Sequence, residues 1–170
     1  MIGRIVNRAY PRRGGELQVH PPGQKLVCGC CHAEPIPEDL RDQPDLPGIE
    51  ELVEIARDAV IVSTADAFHH GIGYGDPPEA SYPPLQGGLE LARRRIEEGM
   101  EILGRGDYWG YNQHCVSAKS DARDAGQVFR YLRGPMRGRI VDLTYSDAAE
   151  LYQTPAPTWV ACALMAWEPV

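Results

Sequence analysis

Trp159-Val-Ala-Cys-Ala-Leu-Met-Ala-Trp167 decides the fold, because nine residues without a charge or a turn signal leave apolar side chains on both faces of an extended strand. Such a strand needs cover on two sides and neighbours on both edges, so it is expected at the centre of a sheet. The run Arg139–Thr144, rich in β-branched and aliphatic residues, is expected to be a further strand near the end of the chain.

Upstream the period changes from two to about 3.6. Ile49, Leu52, Val53, Ala56, Val60, Ala67 and Phe68 recur at helical spacing, which predicts a helix from Ile49 that ends by Gly71. The β-rich run Val60-Ile-Val-Ser-Thr64 leaves room for a break or a strand within it. A second helix is expected over Gly88–Leu103, with Leu89, Ala92, Ile96 and Leu103 on one face and Gly104 as its stop. The third has the fullest set of end signals: Ser120 as cap, Asp121 and Asp124 at the positive end, Arg130 and Arg133 at the negative end, and Gly134-Pro135 as terminator. Between these lie two loops, Gly71–Pro84 and the aromatic-rich Asp107–Cys115.

The first 35 residues read as short strands, Ile2–Val6, Leu17–His20 and Lys25–Cys28, separated by Pro and Gly turns. Strands at both ends around three helices give an α+β protein of one domain over residues 1–170: β-rich in 1–35, mainly helical in 49–134 and β-rich again in 138–170. At 170 residues a single core stands without disulfide staples.

The net charge of −7 opposes binding to a nucleic-acid backbone or an anionic lipid surface. Acids concentrate in Glu38–Asp58 and bases in Lys119–Arg139, and solvated faces account for both runs. Met1–Tyr10 lacks the apolar core of an export leader, no window is long and apolar enough to span a bilayer, and the five cysteines form no spaced framework. A cytoplasmic protein with reduced or metal-bound thiols is expected.

Cys28-Gly-Cys-Cys-His32 is the densest chemical feature. Strand Lys25–Val27 followed by Cys28-Gly-x-Cys31 has the form of half a zinc site, and the remaining ligands are sought among His20, Cys30, His32, His114 and Cys115. Three other readings compete: covalent haem at Cys28-x-x-Cys31-His32, a redox dithiol, and the first half of a deaminase site at His32-Ala-Glu34. Haem attachment normally follows export, Pro35 and Pro37 interrupt the helix a dithiol needs, and the deaminase pattern lacks its downstream cysteines. Small thiols packed in a core remain the structural explanation, and it is the one expected for Cys162.

These features point to a small zinc-stabilised protein-interaction module, a regulatory or assembly component that binds a protein partner or itself, with Tyr74 and Tyr82 as contact anchors on the 71–84 loop. The alternative is a hydrolase or transferase whose pocket lies between loops 71–84 and 108–115, with Cys115 as nucleophile and His69 or His70 as base. A virion or filament subunit joined through its end strands is the third reading.

Overall fold

The computed structural model describes residues 48–170. The α+β class expected from the sequence is the one found: helices packed on a three-stranded antiparallel sheet. In chain order the elements are α1 (Ile49–Ile55), β1 (Phe68–Gly71), α2 (Leu89–Gly104), α3 (Tyr108–Ala118), α4 (Ala122–Arg133), β2 (Met136–Asp147), α5 (Ala149–Tyr152) and β3 (Thr158–Pro169). The strand order is β1-β3-β2, so the doubly apolar strand is indeed central.

Register fixes which side chains face the helices. Phe68 lies opposite Ala161 and His70 opposite Trp159, while Leu143 lies opposite Ala163 and Tyr145 opposite Ala161. This set points inward and packs on Ala92, Ile96 and Met100 of α2. Those three recur at four-residue spacing on one stripe, as a helix lying on a sheet requires. A bulge between Ile140 and Asp142 takes Val141 out of the ladder and leaves it 48% exposed.

Two expectations about the elements need correction. The helix predicted from Ile49 to Gly71 stops at Ile55, and residues 68–71 form β1. Phe68 and His70 share the inner face at a spacing of two, a strand period that the helical pattern obscured. Val60 and Val62 are exposed, so the β-branched run breaks the helix without entering the core. The stretch Asp107–Cys115, expected as a loop, is helix α3 from Tyr108 onward. Asp107 starts it by accepting a hydrogen bond from the Gly110 N–H at 2.6 Å. Ser120, expected to cap α4, accepts from the Ala122 N–H at 3.2 Å, but the residue at the cap position is Asp121, whose side chain makes no capping bond. Gly99, inside α2, lets the neighbouring helix approach: a Cβ there would lie 2.9 Å from the His114 ring.

Cys162, expected in the core, is exposed, because it lies opposite Thr144 on the sheet face turned away from the helices. Cys28, Cys31 and His32 lie outside the described residues, as do the three expected N-terminal strands.

Gly71 ends β1 with φ +113°, and a Cβ at that position would overlap the Pro157 carbonyl oxygen. Gly71→Ala is expected to cost about 3 kcal/mol or more in urea unfolding, from strain and steric overlap together. Gly48→Ala, at φ +82° with open space around it, is the control and should cost about 1 kcal/mol.

Candidate functional site

His69 and His70 are consecutive residues on β1, so the pleat sends them to opposite faces of the sheet. His70 turns inward. Its ring stacks on Phe68 at 5.5 Å and on Tyr82 at 6.1 Å, and meets the Trp159 ring edge-on at 5.6 Å. Its Nε2 accepts the Tyr82 N–H at 3.0 Å, and its Nδ1 lies 3.0 Å from Asp76 Oδ2. A backbone N–H can only donate, so Nε2 is bare and Nδ1 carries the proton given to Asp76. Both nitrogens of His70 are thereby committed to structure.

Asp76 gathers the surrounding loop. It accepts the Gly71 N–H at 2.8 Å as well as the His70 ring, and its other oxygen meets the Lys119 ammonium. Burial pushes the Asp76 carboxyl up, but the bonds from His70, Lys119 and Gly71 outweigh it and hold the group well below the usual carboxylate range.

His69 turns outward, beside Val160, yet is only 4% exposed. The turn Ile72–Tyr74 folds over it, with the Tyr74 ring edge-on at 4.7 Å. Its Nδ1 is hydrogen-bonded to the Lys119 carbonyl, and its Nε2 lies 3.4 Å from Asp66 Oδ2. Asp121 Oδ1 approaches the same ring, 3.8 Å from Nδ1. The hydrogen bond to His69 holds the Asp66 carboxyl below its ordinary value against the opposing effect of burial. One donor atom from each of Asp66, His69 and Asp121 lies within 4.8 Å of the others, a span that metal ligands can adopt.

The two adjacent residues expected to supply a metal or a nucleophile point into the helical layer. His114 Nε2 is bonded to the Arg95 carbonyl at 2.7 Å, and desolvation lowers the pKa of its ring. Cys115 is buried with Leu103, Tyr111 and Met136, and burial pushes its thiol up to about 12 despite bonds to Tyr111 and Ser120. Such surroundings oppose the thiolate that nucleophilic attack requires. The cavity beside it, about 40 Å³ and lined by Ala67, His114, Ser120 and Trp167, has room for water and not for a substrate.

Tyr74 and Tyr82, the expected contact anchors, lie against the histidine pair. Tyr74 is half-buried on His69; Tyr82 is exposed along one side, and its carbonyl accepts the Trp159 indole N–H at 2.9 Å. The carboxylates Asp66, Asp76 and Asp121 and the ammonium of Lys119 were not singled out as site residues by the sequence. Asp66 precedes His69 by three positions, but that spacing has no signature value, and Lys119 and Asp121 reach the histidine only through the α3–α4 link.

The outward sheet face has a second feature. Beyond the covered His69, the side chains of Cys162 and Leu164 stand open, with Leu164 62% exposed and Val141 beside them at the bulge. β3 pairs with β1 over Thr158–Ala161 alone, so from Cys162 to Pro169 its second edge has no strand partner among the described residues.

Asp76→Asn is expected to destabilise the protein by about 2 kcal/mol at pH 7, because it leaves the Lys119 ammonium without its charge partner. The folded carboxyl has the lower pKa, so its contribution is complete above the unfolded value, about 4, and is lost as pH falls from there toward the folded value. Thermal unfolding from neutral to acid pH should show that slope in the wild type, with the gap to the Asn variant closing toward acid.

No described helix is long and apolar enough to cross a membrane. Comparison with models of protein families, with curated proteins and with solved structures yields no match for the chain.

Proposed function

We propose that the protein is an assembly component that acts through protein–protein contact, pairing with a second copy of itself along β3. The observation that carries this reading is the half-paired central strand. From Cys162 to Pro169 this edge has no strand partner among the described residues, and Cys162 and Leu164 expose an apolar strip on its outward face. An open edge beside apolar side chains is the arrangement that accepts an added strand: backbone bonds supply affinity and alternate side chains supply selectivity. Two β3 strands meeting antiparallel across a two-fold axis would satisfy both edges and bring the two strips together.

Tyr82, although partly exposed, stacks on the inward-facing His70 and takes no part in this outward strip. Zinc at the Cys28–Cys31 turn stays part of the proposal as a stabiliser of residues that precede the described ones. The Cys115 hydrolase or transferase reading gains no support from a thiol buried and pushed up to about 12.

Sedimentation of the purified full chain is expected to show a rise from one to two chains of 18.8 kDa with concentration. Amide exchange over Ala163–Trp167 should slow in step. Leu164→Lys should weaken the pairing at least about tenfold, since a buried Leu contributes roughly 1.5–3 kcal/mol, while thermal stability of the separated chain stays unchanged. A single-chain mass up to about 1 mM, a concentration at which even a 4 kcal/mol association would show, would overturn the proposal.

A further inference from the structure

We infer that the cleft between α2, α4 and the free edge of β2 binds a small organic phosphate, with Arg105 and Arg130 as its anchors. It lies on the side of the sheet opposite the β3 edge, so the site is independent of the pairing along β3.

The first ground is shape. The cleft encloses about 710 Å³, within the range of roughly 300–1,000 Å³ typical of small-molecule sites. Met100, Met136 and Ile140 give it an apolar wall, and methionine side chains adapt to a flat ring and make favourable sulfur contacts with it. Such a wall suits a ligand with an aromatic or apolar body better than a bare ion.

The second ground is charge. Arg105, Arg130, Arg137 and Arg139 line the cleft against Glu97 and Glu101, an excess of two positive charges on a chain of net charge −7. Glu97 is drawn toward Arg93, 3.8 Å away, and no carboxylate of the described residues is ion-paired with any of the four arginines. Guanidinium groups bind phosphate through paired parallel hydrogen bonds, and a phosphate ester carries about two negative charges, which balances the lining. The need to guard a strand edge accounts for Arg137 and Arg139 alone, because Arg105 and Arg130 come from helix ends.

The third ground is how Arg130 is held. The residue is half-buried, and its Nε donates to the Gly104 carbonyl at 3.3 Å. Gly106, at φ +79°, leaves room for the guanidinium: a Cβ there would lie 2.9 Å from Nη2. The bond through Nε leaves both Nη groups to donate elsewhere. Arg105 follows Gly104 in the chain, so the carbonyl that fixes Arg130 also sets the two arginines at the same end of the cleft. A helix end attracts one cation through its carbonyls, which explains the Nε bond and not the gathering of four.

Three probes separate the parts of the ligand: ATP carries phosphates and a ring, pyrophosphate the phosphates alone, and adenosine the body alone. Each is titrated calorimetrically into the full chain without added metal. One ATP per chain is expected, displaced by pyrophosphate, with adenosine at least about tenfold weaker than ATP. Arg105→Gln, at an exposed position, and Arg130→Gln should each weaken ATP at least about tenfold, with folding checked by circular dichroism. If Arg130→Gln fails to fold, Arg105→Gln decides. Arg57→Gln removes the same charge outside the cleft and should leave affinity unchanged. Arginine-selective ¹⁵N spectra give a second readout, in which the Arg130 Nε–H signal moves on saturation with pyrophosphate. Absence of saturable binding of ATP and pyrophosphate up to about 1 mM would overturn the site. So would an equal loss of affinity in Arg57→Gln and Arg105→Gln, which marks diffuse charge attraction. Succinate binding as tightly as pyrophosphate would overturn the assignment to phosphate.

Discussion

Burial of Trp159 is the constraint on which the rest of the structure depends. The residue is 1% exposed and its ring meets Phe68 and His70 of β1 and Tyr145 of β2, so both neighbouring strands are keyed to one indole. Its N–H reaches the Tyr82 carbonyl and thereby pins the end of the 71–84 loop. A side chain of this size in a fully packed position contributes several kcal/mol, roughly 3–5 by the cost of truncation. Because strand pairing, loop closure and helix packing all converge on it, the register of β1 is set by the indole as much as by the backbone ladder.

That register gives two neighbouring histidines different chemistry. His70 goes under the sheet into an aromatic stack and spends both nitrogens on Asp76 and Tyr82. His69 goes over it and keeps one nitrogen toward carboxylates. Lys119 ties the two environments together: its carbonyl orients His69 and its ammonium braces Asp76. A backbone in the left-handed region, φ 53° at the end of α3, lets one residue present both groups to the same loop.

How much of this the sequence disclosed depends on whether the signal was local. The central strand was legible in Trp159–Trp167 because an uncharged run excludes any one-sided surface placement. α2 was legible from its stripe and end residues, and α4 from its end residues alone, since the residues it buries are Arg123, Gln127 and Val128. α3 was not, since Tyr108, Trp109, Tyr111, Asn112 and His114 spread apolar and polar groups around the helix, and only the Asp107 cap announced it. β1 was concealed because Ala67 and Phe68 continue a helical spacing by coincidence and four residues are too few to reveal a period of two. His69 and His70 were marked as chemically notable, but their partners come from a loop six positions on and from the α3–α4 link some fifty positions on. Spacing cannot report such encounters; only folding makes them.

The bulge at Val141 has a bearing on the size of any assembly. It interrupts β2 midway, and the charged residues Arg137, Arg139 and Asp142 stand exposed on the same strand. A bulged and charged outer edge resists a further strand, whereas β3 carries no charge from Cys162 to Trp167. For pairing along β3 as proposed, one receptive edge and one guarded edge would make the sheet directional and limit the assembly to two copies.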